Sequence, residues 1–375
     1  MPPRPKSYRL PASTGRGAGS FYWVLIALLV AGACWVWQRT RPATPARRPV
    51  VAQLSERVPL PASAPTPAPQ RAPQSIAPLP GVEKPRITTL PRPPQDALEV
   101  QIALARLAIC PGSLDGVMGL QTSAALLAFQ QRERLPLTGV LDAATQDRLR
   151  IDAHPVVSCW VSSNDVARLQ PVASTWLGRS EQSALDYENV LELVSERTHA
   201  NPKLIRRLNP SVNWSNVVAG TELRVPWVEY PEPSELAAQV RISLAAKTLQ
   251  VFGGSSNLLA HFPCSIAARV ENRPMGDLVV TALAPNPNYT FNPAVFPESP
   301  EAQAIGRKLI IQPGPNNPVG VAWISLSLPS YGIHGTPIPE QVGRTESHGC
   351  FRLANWNAEY LVRLVRQGTP VAVEP

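Results

Sequence analysis

Three hydrophobic patterns follow one another along the chain. Residues 21–38 form an uncharged apolar run, residues 96–150 carry apolar side chains at helical spacing, and from Ala237 apolar and polar residues alternate. Spacing of three and four residues places apolar side chains on one face of a helix, whereas alternation places them on one face of a strand. The patterns therefore predict, in that order, a helix in a membrane, a helical domain and a mostly-β domain.

Residues 96–150 predict three short helices joined by tight turns. Asp96 followed by Glu99 resembles a capping box at a helix start. Gly116 and Gly139 favour turns, because glycine adopts positive φ angles at little steric cost. We therefore expect a small three-helix bundle.

Residues 185–228 predict a second small domain. Apolar side chains recur at helical spacing between Leu191 and Leu208, and Asn209-Pro210 ends this region. Residues 219–226 then predict a turn and a strand. We expect a compact module of two helices followed by a strand.

Residues 237–375 predict a mostly-β domain with one late helix. Strands are expected at residues 240–244, 249–252, 278–283, 308–312, 321–326 and 371–373. The helix is expected at residues 358–367, with Gly368 as its C-terminal cap. The predicted fold class is therefore multidomain α+β.

The apolar run 21–38 is about long enough to cross a hydrocarbon core of ~30 Å as a helix. The tail 1–20 before it is basic, as in the n-region of a secretory signal, and tryptophans stand at its far end. These features predict a transmembrane signal anchor. Cleavage after Ala33 and lipidation of Cys34 are the alternatives.

Residues 39–95 are dominated by proline, alanine and arginine. Proline fixes φ and removes a backbone donor, so this stretch cannot form helices or sheet ladders. It predicts a disordered, extended linker that lets a tethered domain reach away from a membrane.

The positive charge lies in the tail and linker. Residues 1–95 carry thirteen Lys and Arg against two Asp and Glu, a net charge of +11, whereas the remaining 280 residues carry 22 against 25, a net charge of −3. A nucleic-acid-binding protein would have a basic face on a folded domain with interleaved aromatic residues. This distribution excludes nucleic acid as the expected partner.

Two segments carry the candidate chemistry: Ile333-His334-Gly335-Thr336 and, ten residues later, Ser347-His348-Gly349-Cys350-Phe351-Arg352-Leu353. A thiol becomes a good nucleophile when a nearby base raises its thiolate fraction, and His334 would be that base for Cys350. Gly335 and Gly349 allow the backbone to approach a substrate closely. The pattern predicts nucleophilic catalysis by a cysteine.

The paired segments resemble the signature of the L,D-transpeptidase catalytic domain, also called the YkuD domain, over roughly residues 238–375. The resemblance implies that Cys350 attacks a stem-peptide carbonyl of peptidoglycan and that His334 is the base. It also implies that the carbonyl of Gly335 orients the imidazole and that backbone amides around Gly349 and Cys350 form the oxyanion hole.

The same resemblance implies roles for the rest of the second segment. His348 is expected to hold the loop by hydrogen bonding. Arg352 and Ser347 are the expected substrate-binding residues, since the planar fork of an arginine suits a carboxylate. No metal or organic cofactor is implied.

The other two domains resemble families that bind cell-wall polymers. The segment 96–150 resembles peptidoglycan-binding domain 1 through the residues Leu114-Asp115-Gly116, Gly119, Thr122, Phe129-Gln130, Gly139, Thr145 and Leu149. The second half of 185–228 resembles a LysM module, whose family recognises N-acetylglucosamine glycans. The resemblance implies a βααβ fold for this module. Residues 186–189 replace the usual Gly-Asp turn of that family, so a spacer domain is the alternative to a sugar-binding one.

The combined prediction is an enzyme anchored in the inner membrane, with its catalytic domain in the periplasm. Acting on stem peptides through a cysteine acyl-enzyme, it would form 3–3 cross-links, or exchange or attach groups at the diaminopimelate carbonyl. An L,D-carboxypeptidase and a non-catalytic peptidoglycan-binding scaffold are the alternatives. The binding domains are expected to raise the local substrate concentration without touching the chemistry.

Two further possibilities involve cysteines. In an oxidising compartment Cys110 and Cys159 could form a disulfide, with two buried thiols as the alternative. A zinc site built from His334, His348 and Cys350 lacks a clear fourth ligand, so nucleophilic catalysis is the favoured interpretation of these residues.

Overall fold

The computed structural model describes residues 90–345 and 349–375 of the 375-residue chain. The predicted basic tail, the predicted membrane helix and the linker up to residue 89 lie outside the described residues. Within the part that is described, no helix is both long and apolar enough to cross a membrane.

The first ordered domain contains three helices: α1 Ala97–Ala105, α2 Leu120–Glu133 and α3 Ala143–Arg148. The side chains of Asp96 and Asp142 cap α1 and α3 by accepting hydrogen bonds from the amides of Glu99 (2.8 Å) and Thr145 (2.9 Å). The Glu99 carboxylate accepts from the amide of Gln95 at 2.8 Å, one residue before the position that a capping box requires.

The second module is longer than the sequence pattern indicated. It contains β1 Val156–Trp160, α4 Ser163–Ala167, α5 Trp176–Glu181, α6 Val190–Arg197, α7 Pro202–Leu208 and β2 Glu222–Pro226. Strand β1 pairs antiparallel with β2 over its whole length. The module therefore begins near residue 156 and not at the predicted residue 185, because a local pattern does not reveal a strand's distant partner. Four helices lie between its two strands, where the expected βααβ fold has two.

The third domain is built on a curled sheet. Its elements are β3 Gln239–Ser243, β4 Thr248–Phe252, β5 Leu258–Pro263, β6 Gly276–Pro285, β7 Tyr289–Phe291, α8 Pro300–Ile305, β8 Leu309–Ile311, β9 Ala322–Leu326, β10 Gly332–His334, β11 Phe351–Arg352, α9 Asn355–Leu364 and β12 Pro370–Glu374. Eight strands form one sheet in the order β11-β10-β9-β6-β12-β3-β4-β5, and β7 and β8 form a separate two-stranded antiparallel sheet.

The late helix lies three residues earlier than the sequence predicts. Helix α9 ends at Leu364, and Val365 already has an extended backbone. Gly368, with φ of +88°, belongs to the turn before β12, where its amide donates to the carbonyl of Val280 at 2.8 Å. Gly368 therefore belongs to the turn before β12, and the prediction that it caps the C-terminus of the helix was wrong.

The helical domain covers one edge of the eight-stranded sheet. The amide of Cys110 donates to the carbonyl of His261 on β5 (2.8 Å), and the amide of His261 donates to the carbonyl of Ala108 (3.0 Å). An edge strand otherwise presents unpaired backbone groups. The domain thus pairs with the strand that ends the sheet.

The first two domains share one hydrophobic core with the end of the eight-stranded sheet. Its buried members include Leu104 and Phe129 from the bundle, Leu193 from α6, and Phe252 and Leu258 from the sheet. Burial of such side chains is the main favourable term in folding. The ordered domains therefore pack as one body, in contrast to the separable modules that the sequence suggested.

Candidate active site

Two short neighbouring strands bring the predicted nucleophile and base into one region. Strand β10 ends at His334, and β11 begins directly after Cys350. The two strands are parallel, with His334 opposite Arg352. Because residues in register have side chains on the same face, His334 and Arg352 share a face, with Cys350 at the start of β11.

The backbone fixes the tautomer of His334. Its Nδ1 atom lies 2.6 Å from the carbonyl oxygen of Gly335. A carbonyl oxygen only accepts, so Nδ1 carries the proton and Nε2 is left as the basic atom. The ring also stacks on Trp323, with centroids 5.4 Å apart. Burial lowers the pKa of His334 to about 4, although the contact with Gly335 raises it.

Cys350 is partly buried beside the strand that carries the base. Its thiol lies 3.6 Å from the carbonyl oxygen of Ser330. Burial raises the pKa of the thiol above its ordinary value, and the Gly332 backbone offsets part of this rise. With the lowered pKa of His334, this favours a neutral thiol and a neutral imidazole at pH 7.

Arg352 lines a small cavity near these residues. The cavity measures about 30 Å³ and is also lined by Ser265, Thr336 and Thr345. The guanidinium donates to the hydroxyl of Thr345 at 3.3 Å, and the Arg352 backbone pairs with that of Ser265. Burial lowers the pKa of Arg352. A partly desolvated guanidinium in such a place suits an anionic group.

Asn355, which was not predicted from the sequence, packs against the backbone beside His334. Its side chain is fully buried. A Cβ atom on Gly335 would lie 2.2 Å from its Oδ1 atom, and one on Gly320 would lie 2.0 Å from it. Both positions therefore require glycine. Asn355 lies three residues before the helix that the sequence predicts at 358–367, and the only local signal was a polar amide two residues after the cysteine segment.

Two of the predicted site residues, Ser347 and His348, lie outside the described residues. Gly349 is described, and a Cβ atom there would lie 3.4 Å from the Tyr331 ring. Tyr289 of β7 was not predicted from the sequence. Burial raises the pKa of its hydroxyl, as does the nearby Cys350 thiol.

Two histidines and three cysteines outside this region belong to the core. His199, His261, Cys110, Cys159 and Cys264 are largely buried, and the four cysteines other than Cys34 that the sequence contains are not joined by disulfides. Among residues 90–345 and 349–375, no group of three or more His, Cys, Asp or Glu side chains is arranged to hold a metal ion.

A larger cavity of about 230 Å³ lies away from this region. It is lined by Trp227 and Tyr230, which follow β2, and by Trp356 and Tyr360 of α9. Neither His334 nor Cys350 contributes to its lining. The candidate catalytic residues at β10 and β11 therefore lie outside this larger cavity.

Comparison with known proteins identifies two domains. Residues 237–373 match the family model of the L,D-transpeptidase catalytic domain, YkuD. Residues 94–149 match the family described as "Putative peptidoglycan binding domain". The matches cover the curled sheet, including β10 and β11, and the three-helix bundle.

The chain is 26% identical over 185 residues to "Putative L,D-transpeptidase YkuD" of Bacillus licheniformis. The aligned region covers 49% of this chain and 93% of that protein. Among solved structures, the L,D-transpeptidase from Mycobacterium smegmatis matches 42% of this chain and 65% of its own, with 19% identity and a TM-score of 0.29. The L,D-transpeptidase of Xylanimonas cellulosilytica matches 77% of this chain and 100% of its own, with 14% identity and a TM-score of 0.32.

The chain thus contains an L,D-transpeptidase catalytic domain and a peptidoglycan-binding domain. The catalytic-domain match and the similarity to L,D-transpeptidases together support L,D-transpeptidase function on peptidoglycan.

Proposed function

We propose that the protein is a cysteine-dependent L,D-transpeptidase, in which Cys350 forms an acyl-enzyme with a peptidoglycan stem peptide and His334 is the base. The observation that carries the proposal is the 2.6 Å contact between His334 Nδ1 and the Gly335 carbonyl oxygen. It leaves Nε2 unprotonated on the strand next to Cys350. A carbonyl oxygen thereby does the orienting that a carboxylate does in many catalytic triads.

In the first half-reaction, His334 Nε2 takes the proton of the Cys350 thiol, and the sulfur attacks the carbonyl carbon of the third stem residue. The C–S bond forms and the carbonyl π electrons move to the oxygen. When the tetrahedral intermediate collapses, the C–N bond breaks and the terminal D-alanine leaves with the proton from Nε2. A thioester on Cys350 remains.

In the second half-reaction, an amine attacks the thioester and gives its proton to Nε2. The C–S bond breaks, and the sulfur recovers a proton from the imidazolium. With the side-chain amine of a second stem's diaminopimelate as acceptor, the product is a 3–3 cross-link. A neutral thiol–imidazole pair suits this route, because the base is available throughout the neutral pH range.

Substrate binding is proposed for residues around the thiol. The amides of Gly349 and Cys350 form the oxyanion hole, where one donor typically contributes ~3 kcal/mol. Arg352 binds a substrate carboxylate, which its partly buried guanidinium supports. Ser347 contacts the substrate and His348 holds the loop, as the family resemblance implies.

The remaining parts of the proposal concern location and wall binding. We propose that residues 21–38 anchor the protein in the inner membrane and that the linker carries the catalytic domain into the periplasm. The second module is proposed to be LysM-like, which is supported by its two-stranded β1–β2 sheet with helices between the strands. The substrate, peptidoglycan, lies in that compartment.

The test is mass spectrometry of stem peptides after incubation with the wild type, Cys350→Ala and Cys264→Ala. Cys264 is a matched control, because it is a buried thiol close to Arg352. We expect the wild type and Cys264→Ala to release D-alanine and to add one acyl mass from a β-lactam. Cys350→Ala should do neither, and transfer by this variant at the wild-type rate would overturn the assignment.

A further inference from the structure

We propose that Glu196 of the second module is a positioning residue for the catalytic base His334, acting through Asn355 and the Gly335 peptide. This inference rests on the proposed role of His334. It makes the second module part of the active-site framework in addition to any function in wall binding.

The first link joins the second module to α9. Asn355 Nδ2 donates to both carboxyl oxygens of Glu196, at 3.0 and 3.1 Å. Both side chains are buried, with exposed fractions of 0% for Asn355 and 3% for Glu196. A buried polar group that loses its partner costs the desolvation of that group, so the pair is held strongly in place.

The second link fixes which way the Asn355 amide points. Its Nδ2 atom also donates to the carbonyl of Pro315 at 3.1 Å, while its Oδ1 atom accepts from the amide of Val321 at 3.3 Å. The Pro315 carbonyl can only accept and the Val321 amide can only donate. Rotation of the amide by half a turn would place Oδ1 against the Pro315 carbonyl oxygen and Nδ2 against the Val321 amide. The hydrogen bonds therefore allow one orientation.

The third link runs from Asn355 to the base. The Oδ1 atom packs where a Cβ of Gly335 or Gly320 would stand. The Gly335 amide donates to the carbonyl of Ala322 at 3.2 Å, and its carbonyl oxygen accepts from His334 Nδ1. Movement of Asn355 by a fraction of an ångström would therefore shift the acceptor that sets the imidazole's position.

The charge state of Glu196 agrees with this role. Burial raises its pKa to about 8, although Asn355 lowers it. A neutral carboxyl still accepts from Asn355, and the Tyr187 hydroxyl donates to it at 3.2 Å. The network therefore brings no net charge close to a neutral imidazole.

The competing explanation is that Glu196 has a purely structural role. The loop 313–316, which includes the Pro315 carbonyl that Asn355 contacts, also touches the second module at other points. Asn316 Nδ2 donates to Glu192 Oε1 at 2.6 Å, and the Leu185 amide donates to the Pro313 carbonyl at 2.9 Å. Glu192 lies one helical turn before Glu196 on α6. It contacts the same loop without reaching Asn355, which makes it a matched control.

The experiment compares Glu196→Leu, Glu196→Gln and Glu192→Leu in the full chain, with kcat and KM measured on a tetrapeptide stem. Glu196→Leu should lower kcat roughly ten- to a hundredfold with KM within about twofold, because small misplacements of catalytic groups have effects of this size. Glu196→Gln keeps an acceptor for Asn355 and should retain kcat within about threefold. Glu192→Leu should do the same.

Equal losses of kcat in Glu196→Leu and Glu192→Leu would overturn the inference, as would an unchanged kcat in Glu196→Leu. If Glu196→Leu does not fold, Asn355→Ala takes its place. A wild-type kcat in Asn355→Ala would likewise overturn the inference. In the double variant Glu196→Leu/Asn355→Ala, the loss of kcat should be smaller than the product of the two single losses. Both changes break the same chain of contacts from Glu196 through Asn355 to the Gly335 peptide. An inactive wild type would instead contradict the proposed function, so the two failures are distinguishable.

Discussion

His334 donates its Nδ1 proton to the carbonyl oxygen of the next residue, Gly335, at 2.6 Å. The orienting group is thus part of the main chain, and its position depends on whatever fixes the Gly335 peptide. In this protein Asn355 packs against that peptide, and the second module holds Asn355. His334, the proposed catalytic base, is therefore coupled to residues far from it in the sequence.

The two histidines of the catalytic segments should differ in importance. His334→Ala should lower transfer by ~10²–10⁴-fold, because it removes the general base. His348→Ala should cost less, since its expected role is to hold the loop. Single-turnover acylation of Cys350 by a β-lactam measures both. Equal losses, or a larger loss in His348→Ala, would mean that the two roles are exchanged.

Stability should fall on the acid side of neutrality. Burial lowers the pKa of His199 to about 3 and those of His261 and His334 to about 4. Between pH 6.5 and about 4 the unfolded chain binds more protons than the folded one, so the free energy of unfolding decreases as the pH falls. Urea unfolding at pH 7 and pH 4.5 tests this. An unchanged midpoint would indicate that these imidazoles titrate freely in the folded state.

Glu196 should act in the opposite direction. Its folded-state pKa of about 8 lies above the unfolded value, so its contribution is complete below about pH 4.5 and is lost as the pH rises through 8. In Glu196→Gln the stability should depend less on pH between 5 and 8, with the acid limb unchanged. A pH dependence identical to that of the wild type would show that this carboxyl is not held protonated.

Removal of the first two domains should damage the catalytic domain. A chain beginning at Ser234 lacks the segment that pairs with His261, and it exposes Phe252 and Leu258. It also lacks Glu196. We expect a lower melting temperature and reduced turnover on soluble stem peptides, relative to a chain beginning at Leu90. If the shorter chain had the same melting temperature and turnover as the longer one, the first two domains would act only in binding and spacing.

The three-helix domain should bind the wall through exposed apolar residues. Leu120 is 91% exposed at the start of α2, beside Met118 and Val117. Leu120→Asp should reduce retention on insoluble peptidoglycan while leaving turnover on soluble stem peptides unchanged. Val218→Asp, at an exposed position of the second module, tests that module separately. Full retention of both variants would place the binding surface elsewhere.

The sequence by itself determined the parts of this protein that depend on neighbouring residues. The cap at Asp96, the three helices of the first domain and the location of most strands follow from local spacing. The candidate pair of His334 and Cys350 also follows, because each lies in a short segment whose residue types indicate the chemistry. Such features need no knowledge of distant contacts.

Only the tertiary structure decided how these parts meet. Strand β1 is defined by its pairing with β2, and the three-residue β10 and two-residue β11 are too short to show a period of their own. A carboxylate on the apolar face of α6, at Glu196, was visible in the sequence. Its partner Asn355 stands 159 residues later, and only the packing of three domains into one body brings the two together. Contacts of that separation depend on the whole fold, so the framework behind the catalytic histidine had to be read from the structure.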